Sequence, residues 1–97
     1  MLYSLTDKLK FNDDPQIAIK DKVITVKSDA VTVLKLMDVV KSVGEIEGAV
    51  SIMDLLLSEE DKAKVDSLNL KISDYIMVAE TIIDLALGND PEDEKKA

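Results

Sequence analysis

Cysteine, histidine, tryptophan and arginine are all absent from this chain, and its 97 positions hold only three aromatic residues, Tyr3, Phe11 and Tyr75. Without cysteine no disulfide can staple the fold, which suits a reducing compartment. Without cysteine and histidine there is no Ser-His or Cys-His nucleophile and no ordinary structural zinc site. The glycines Gly44, Gly48 and Gly88 fit neither the dinucleotide nor the phosphate-loop spacing. Nucleic-acid binding rests on Lys and Arg neutralising phosphates. A chain with net charge −8 and no arginine is a poor partner for nucleic acid or for an anionic membrane surface. No apolar run approaches the ~18 residues of a membrane span, and the start, "MLYSLTDKLKF", lacks the form of a signal peptide. The expectation is a soluble, cytosolic protein.

What remains is aliphatic and acidic. Hydrophobic residues make up 46% of the chain, enough for one modest core at this length. Residues 1–50 carry seven lysines against eight acids, and residues 51–97 five against twelve, so nearly all the net negative charge lies in the second half. Carboxylates could in principle serve as acids, bases or metal ligands. "FNDDPQ" and "GNDPEDE" lack calcium-loop spacing, however, and read as a solvated turn and tail. No catalytic, cofactor-binding or metal-binding residue is expected.

The pattern along the chain predicts an α+β fold, mostly helical: an N-terminal β-hairpin followed by a bundle of three to four helices. "IAIKDKVITV" (17–26) holds two β-branched runs around Lys20, Asp21 and Lys22, giving a hairpin over about 16–27. Ile17 and Ile19 share one face of the first strand, and Ile24 and Val26 one face of the second. Upstream, "KLKF" fits a third strand and "SLTDKLKF" a helical turn equally well. Helices are predicted over about 29–43, 45–57, 59–67 and 73–87. The first is capped by Ser28 or Asp29, has a stripe of Val33, Leu36, Met37, Val40 and Val43, and is stopped by Gly44. The second carries Ile46, Ala49, Val50, Met53, Leu56 and Leu57. The third, capped by Ser58, is short, polar and on the surface. The last, capped by Ser73 or Asp74, carries Tyr75, Ile76, Ala79, Ile82, Ile83, Ala86 and Leu87 and ends at Gly88. Residues 1–88 then form a single domain, and 89–97 a disordered acidic tail.

"DSL" at 66–68 is the tripeptide that carries phosphopantetheine in acyl carrier proteins. A carrier serine opens a long helix near mid-chain with two helices after it. Ser67 instead follows a helical stretch and precedes only one, so it reads as a helix end with Leu68 and Leu70 tucked into the core. The flanking segment "LNLKISDYIMVAETIIDLALGNDP" resembles the closing segment of tail assembly chaperones from long-tailed phages and prophages of Gram-positive bacteria. "DDPQIAIKDKVITVKSDAVTVLKLMDVV" is similar to their hairpin and Thr-Val-Leu-Lys helix, and "AVSIMDLLLSEEDKAKVDSL" to the small helix pair between. The likeness spans about residues 10–91. It implies a non-enzymatic protein of the bacterial host cytoplasm that self-associates and binds the tape measure protein during tail tube assembly. It also implies a frameshift-extended form of the same protein; Glu94-Lys95-Lys96 can be encoded by a run of adenines on which a ribosome can slip. The alternative is a small acidic helical interaction or regulatory domain.

Surplus apolar residues lie outside the main stripes: Ile52 and Leu55 on the second helix, and Met77, Val78 and Leu85 on the last. Val78 and Leu85, with Thr81 between them, form a second seam. These five are the candidate protein interface, with Met77 as adaptable packing material; the competing reading is that they too are core.

Overall fold

The structure, a computed structural model, describes residues 1–9, 14–44 and 46–89. A single 3₁₀ turn, Thr6–Lys8, precedes strands β1 (Gln16–Ile19) and β2 (Lys22–Thr25). Four helices follow: α1 (Ala30–Ser42), α2 (Ala49–Leu56), α3 (Glu59–Asp66) and α4 (Ile72–Ala86). The fold is thus α+β and mostly helical. The 3₁₀ turn agrees with the helical option for the first segment, whereas residues 10–13, and with them the strand option, lie outside the described residues. So do residues 90–97, where the acidic tail and the Glu94-Lys95-Lys96 run were placed.

The strands pair antiparallel, with Ile17 opposite Ile24 and Ile19 opposite Lys22. Alternation does the sorting: Ile24 and Val26 are buried, and Ile17 and Ile19 pack against the core beside them. The tight turn places Lys20 in the left-handed region, at φ 56°, a conformation Asn or Gly would adopt at lower cost.

A two-stranded hairpin is marginal alone, and here α3 closes its outer edge. The Thr25 N–H donates to Asp61 Oδ2 at 3.2 Å, and Lys64 Nζ donates to the Val23 carbonyl at 3.1 Å. The two side chains also pair with each other at 3.1 Å. Just beyond the strand, the Lys27 N–H donates to the Leu56 carbonyl at the end of α2, 2.9 Å away. Burial alone would push the Asp61 carboxyl up, but hydrogen bonds from Lys64, Thr25 and Ser58 outweigh it and hold the pKa below the ordinary value. A carboxylate whose pKa falls on folding contributes stability that is complete above its unfolded pKa and is lost as pH drops through the folded one. Denaturant melts at a series of pH values should therefore show stability declining below about pH 4. Asp61→Ala should cost about 1–2 kcal/mol at neutral pH by leaving the Thr25 N–H unpaired, and should flatten that acid decline.

Helix α2 is the centre of the bundle and touches α1, α3 and α4. Its buried residues are Ala49, Ile52, Met53 and Leu56, spaced i, i+3, i+4 and i+7 as a single helical face requires. Leu36 of α1, Val65 of α3, and Ala79, Ile82, Ile83 and Ala86 of α4 close around them. Among the described residues no polar or charged side chain is buried.

Helix ends follow local chemistry. Asp29 accepts from the Thr32 N–H and caps α1, while Ser28 instead donates to Asp14 at the hairpin's entrance. Ser58 caps α3 by accepting from the Asp61 N–H. Ser67 is the C-cap of α3 and donates to the Lys64 carbonyl at 2.7 Å. Of the two leucines expected in the core beyond it, Leu70 packs against the core, while Leu68 is half-buried and stands outside that cluster. Gly44 and Gly88 both follow their helices at positive φ. At Gly88 the Asn89 N–H reaches back to Asp84 and the Gly88 N–H to Leu85, the paired bonds of a Schellman end.

Five expectations need correction. Helix α2 starts at Ala49 instead of about 45, because residues 46–48 form a turn; this leaves Ile46 exposed. Helix α4 starts at Ile72 with Lys71 at its cap, so neither Ser73 nor Asp74 caps it; Asp74 lies in the first turn, where it suits the helix dipole. On α1, Met37 and Val43 face outward and Val39 turns toward the core. Val50 and Leu87 are likewise exposed, and polar α3 contributes Val65 to the interior.

Candidate protein-docking surface

Of the five surplus apolar residues, the structure leaves one open. Ile52 is 0% exposed and sits at the centre of the core, which rules it out as an interface residue in the folded chain. Leu55, Val78 and Leu85 are partly buried and pack against the same core. Met77 alone stands out, at 62% exposure. The physical reason is the position of α2. A helix covered on three sides needs apolar residues beyond one stripe, and the second seam of α4 is taken up by the same packing.

The uncovered apolar surface lies on α1. Val31 (62% exposed), Leu34 (65%) and Met37 (52%) face outward and line a shallow depression with Lys35, Asp38 and Lys41. Met37 and Lys41 also border a groove of about 210 Å³ between α1 and α4, lined in addition by Leu36, Val40, Ile83 and Leu87. The two concavities are therefore continuous. Their walls are aliphatic, and Lys35, Asp38 and Lys41 are the charged residues that line them. Sequence reasoning misses this surface because Met37 falls on the core stripe of α1 and Val31 and Leu34 fall outside it. The available signal was the apolar residue at nearly every turn of α1 on the side away from Leu36. A second group of exposed apolar residues, Met1, Leu2, Tyr3, Leu5 and Leu9, lies in the N-terminal segment.

This surface offers shape and apolar area without reactive groups. The groups with displaced pKa are moved away from neutrality. A hydrogen bond from Thr32 holds the Asp29 carboxyl down, and Asp61 is also lowered. The Asp54 carboxylate holds Lys62 up, and burial, with Asp66 nearby, raises Tyr75. Asp29 is a helix cap, Asp61 is held by Lys64 of its own helix and by the Thr25 N–H, Lys62 pairs with Asp54 between α3 and α2, and Tyr75 is half-buried. Among the described residues, no group of three or more acidic side chains could hold a metal ion, and no helix is long and apolar enough to cross a membrane. Comparison with known proteins finds no matching family model and no curated sequence or solved structure with significant similarity to this chain.

Proposed function

We propose that the chain is a non-enzymatic phage tail assembly chaperone that self-associates and binds the tape measure protein in the host cytoplasm while the tail tube assembles. The observation that carries this reading is the continuous apolar face of Val31, Leu34 and Met37 running into the groove between α1 and α4. A groove of this kind takes the apolar stripe of a partner helix, and Lys35 and Lys41 favour acidic residues beside that stripe. Methionine on the rim lets one surface accept varied helices. The sequence likeness over residues 10–91 supports the same reading, as does the lack of cysteine and histidine.

The test is co-expression with a tape measure protein from the same genome, followed by co-purification. The wild-type chain should retain the partner, whereas Leu34→Asp with Met37→Asp should lose it and keep its helical circular dichroism. A wild-type chain that leaves the tape measure protein unbound and insoluble would favour a small acidic regulatory domain instead.

A further inference from the structure

The two edges of the hairpin differ. In an antiparallel ladder, alternate residues turn their N–H and C=O groups inward to the partner strand and outward to the edge. Val26 donates to the Pro15 carbonyl across the hairpin, and Thr25 and Val23 turn outward to Asp61 and Lys64. By the register, Gln16 and Ala18, opposite Thr25 and Val23, turn their backbone groups outward on the β1 side. Among the described residues nothing bonds them there. Proteins usually blunt such an edge with charge, proline or a bulge. The strand sequence Gln-Ile-Ala-Ile has none of these. Pro15 does not block the edge, because its nitrogen faces β2.

We infer that the β1 edge pairs antiparallel with the β1 edge of a second copy, with the two-fold axis at Ile17. In that register Gln16 meets Ala18 of the second copy, and the outward N–H and C=O groups of both residues are satisfied. The charges favour this register over its neighbours, since Asp14 of each chain then stands opposite Lys20 of the other. The result is a four-stranded sheet that continues the face formed by Ile17, Ile19, Ile24 and Val26. It stops at two copies, because α3 closes the outer edge of β2 in each. A closed isologous dimer follows. As an account of the chaperone's self-association this rests on the reading above. The pairing itself is measured on the purified chain alone, so either can fail without the other.

Sedimentation equilibrium over a concentration series is the test. The wild-type chain should show a monomer–dimer equilibrium. Ala18→Pro should weaken it by about tenfold or more, since it removes an outward donor from each copy, while the hairpin tolerates proline on an outward-facing edge position. Asp14→Lys and Lys20→Asp should each weaken dimerisation, and the two together should restore it. A wild-type chain that stays monomeric throughout, or a folded Ala18→Pro that dimerises unchanged, overturns the inference. Should Ala18→Pro unfold, the charge reversals decide: failure of the double variant to recover dimerisation rejects the pairing.

Discussion

Ile52→Ala is expected to cost about 2–5 kcal/mol, the range for truncating a large aliphatic side chain in a packed core. Ile52 lies on the central helix at 0% exposure, among Leu36, Met53 and Leu56. Domains of this size have about 5–15 kcal/mol in total, so the variant should unfold at markedly lower urea. Met77→Ala, on an exposed turn of α4, should stay within about 0.5 kcal/mol of the wild type. Urea titrations of the two variants test the assignment of Ile52 to the core and Met77 to the surface. An Ile52→Ala protein with wild-type stability would return Ile52 to the list of interface candidates.

Gly48→Val should be nearly as damaging, for want of space. The backbone of Gly48 has φ −93°, which any residue can adopt. A Cβ there, however, would lie 2.6 Å from the Gly44 carbonyl oxygen and 3.2 Å from Val39 Cγ1. The same carbonyl accepts the Gly48 N–H at 3.0 Å, so it cannot withdraw without breaking the turn that sets α1 against α2. Overpacking of this kind costs about 1–3 kcal/mol, occasionally more, and a branched side chain belongs at the upper end. For a domain this small each kcal/mol lowers Tm by about 4–8 °C. Gly88→Ala is the matched control. Its Cβ would meet nothing within 4 Å, so only the left-handed backbone, at φ 85°, opposes it, at about 1–2 kcal/mol. Thermal melts that rank the two variants the other way would place the tight contact elsewhere.

The contrast between these glycines shows what the sequence made legible. Gly44 and Gly88 could be read as helix stops because glycine's use at helix ends is local chemistry. Gly48 could not be read, because its role depends on how closely two helices approach. The same division holds elsewhere. Period-two alternation puts Ile24 and Val26 on one face, the face the structure buries, and position alone narrows the caps to Ser28 or Asp29 for α1 and to Ser58 for α3. The burial of Ile52, Val78 and Leu85 depends on how many neighbours α2 and α4 have, and a stripe on one helix does not encode that number. The exposed apolar face of α1 is illegible for the converse reason. Val31, Leu34 and Met37 are as apolar as core residues, and only the arrangement of α2 and α4 leaves them uncovered.

The clamp from α3 onto β2 also bears on the order in which the chain can acquire structure during synthesis. The hairpin leaves the ribosome before the four helices, yet the groups that hold its edge, Asp61 and Lys64, are separated from Thr25 and Val23 by 36 and 41 residues. Its buried residues, Ile24 and Val26, find their cover in helices translated later. The hairpin is therefore made before the helices that secure it, and until α3 emerges the β2 edge of the nascent chain stands open.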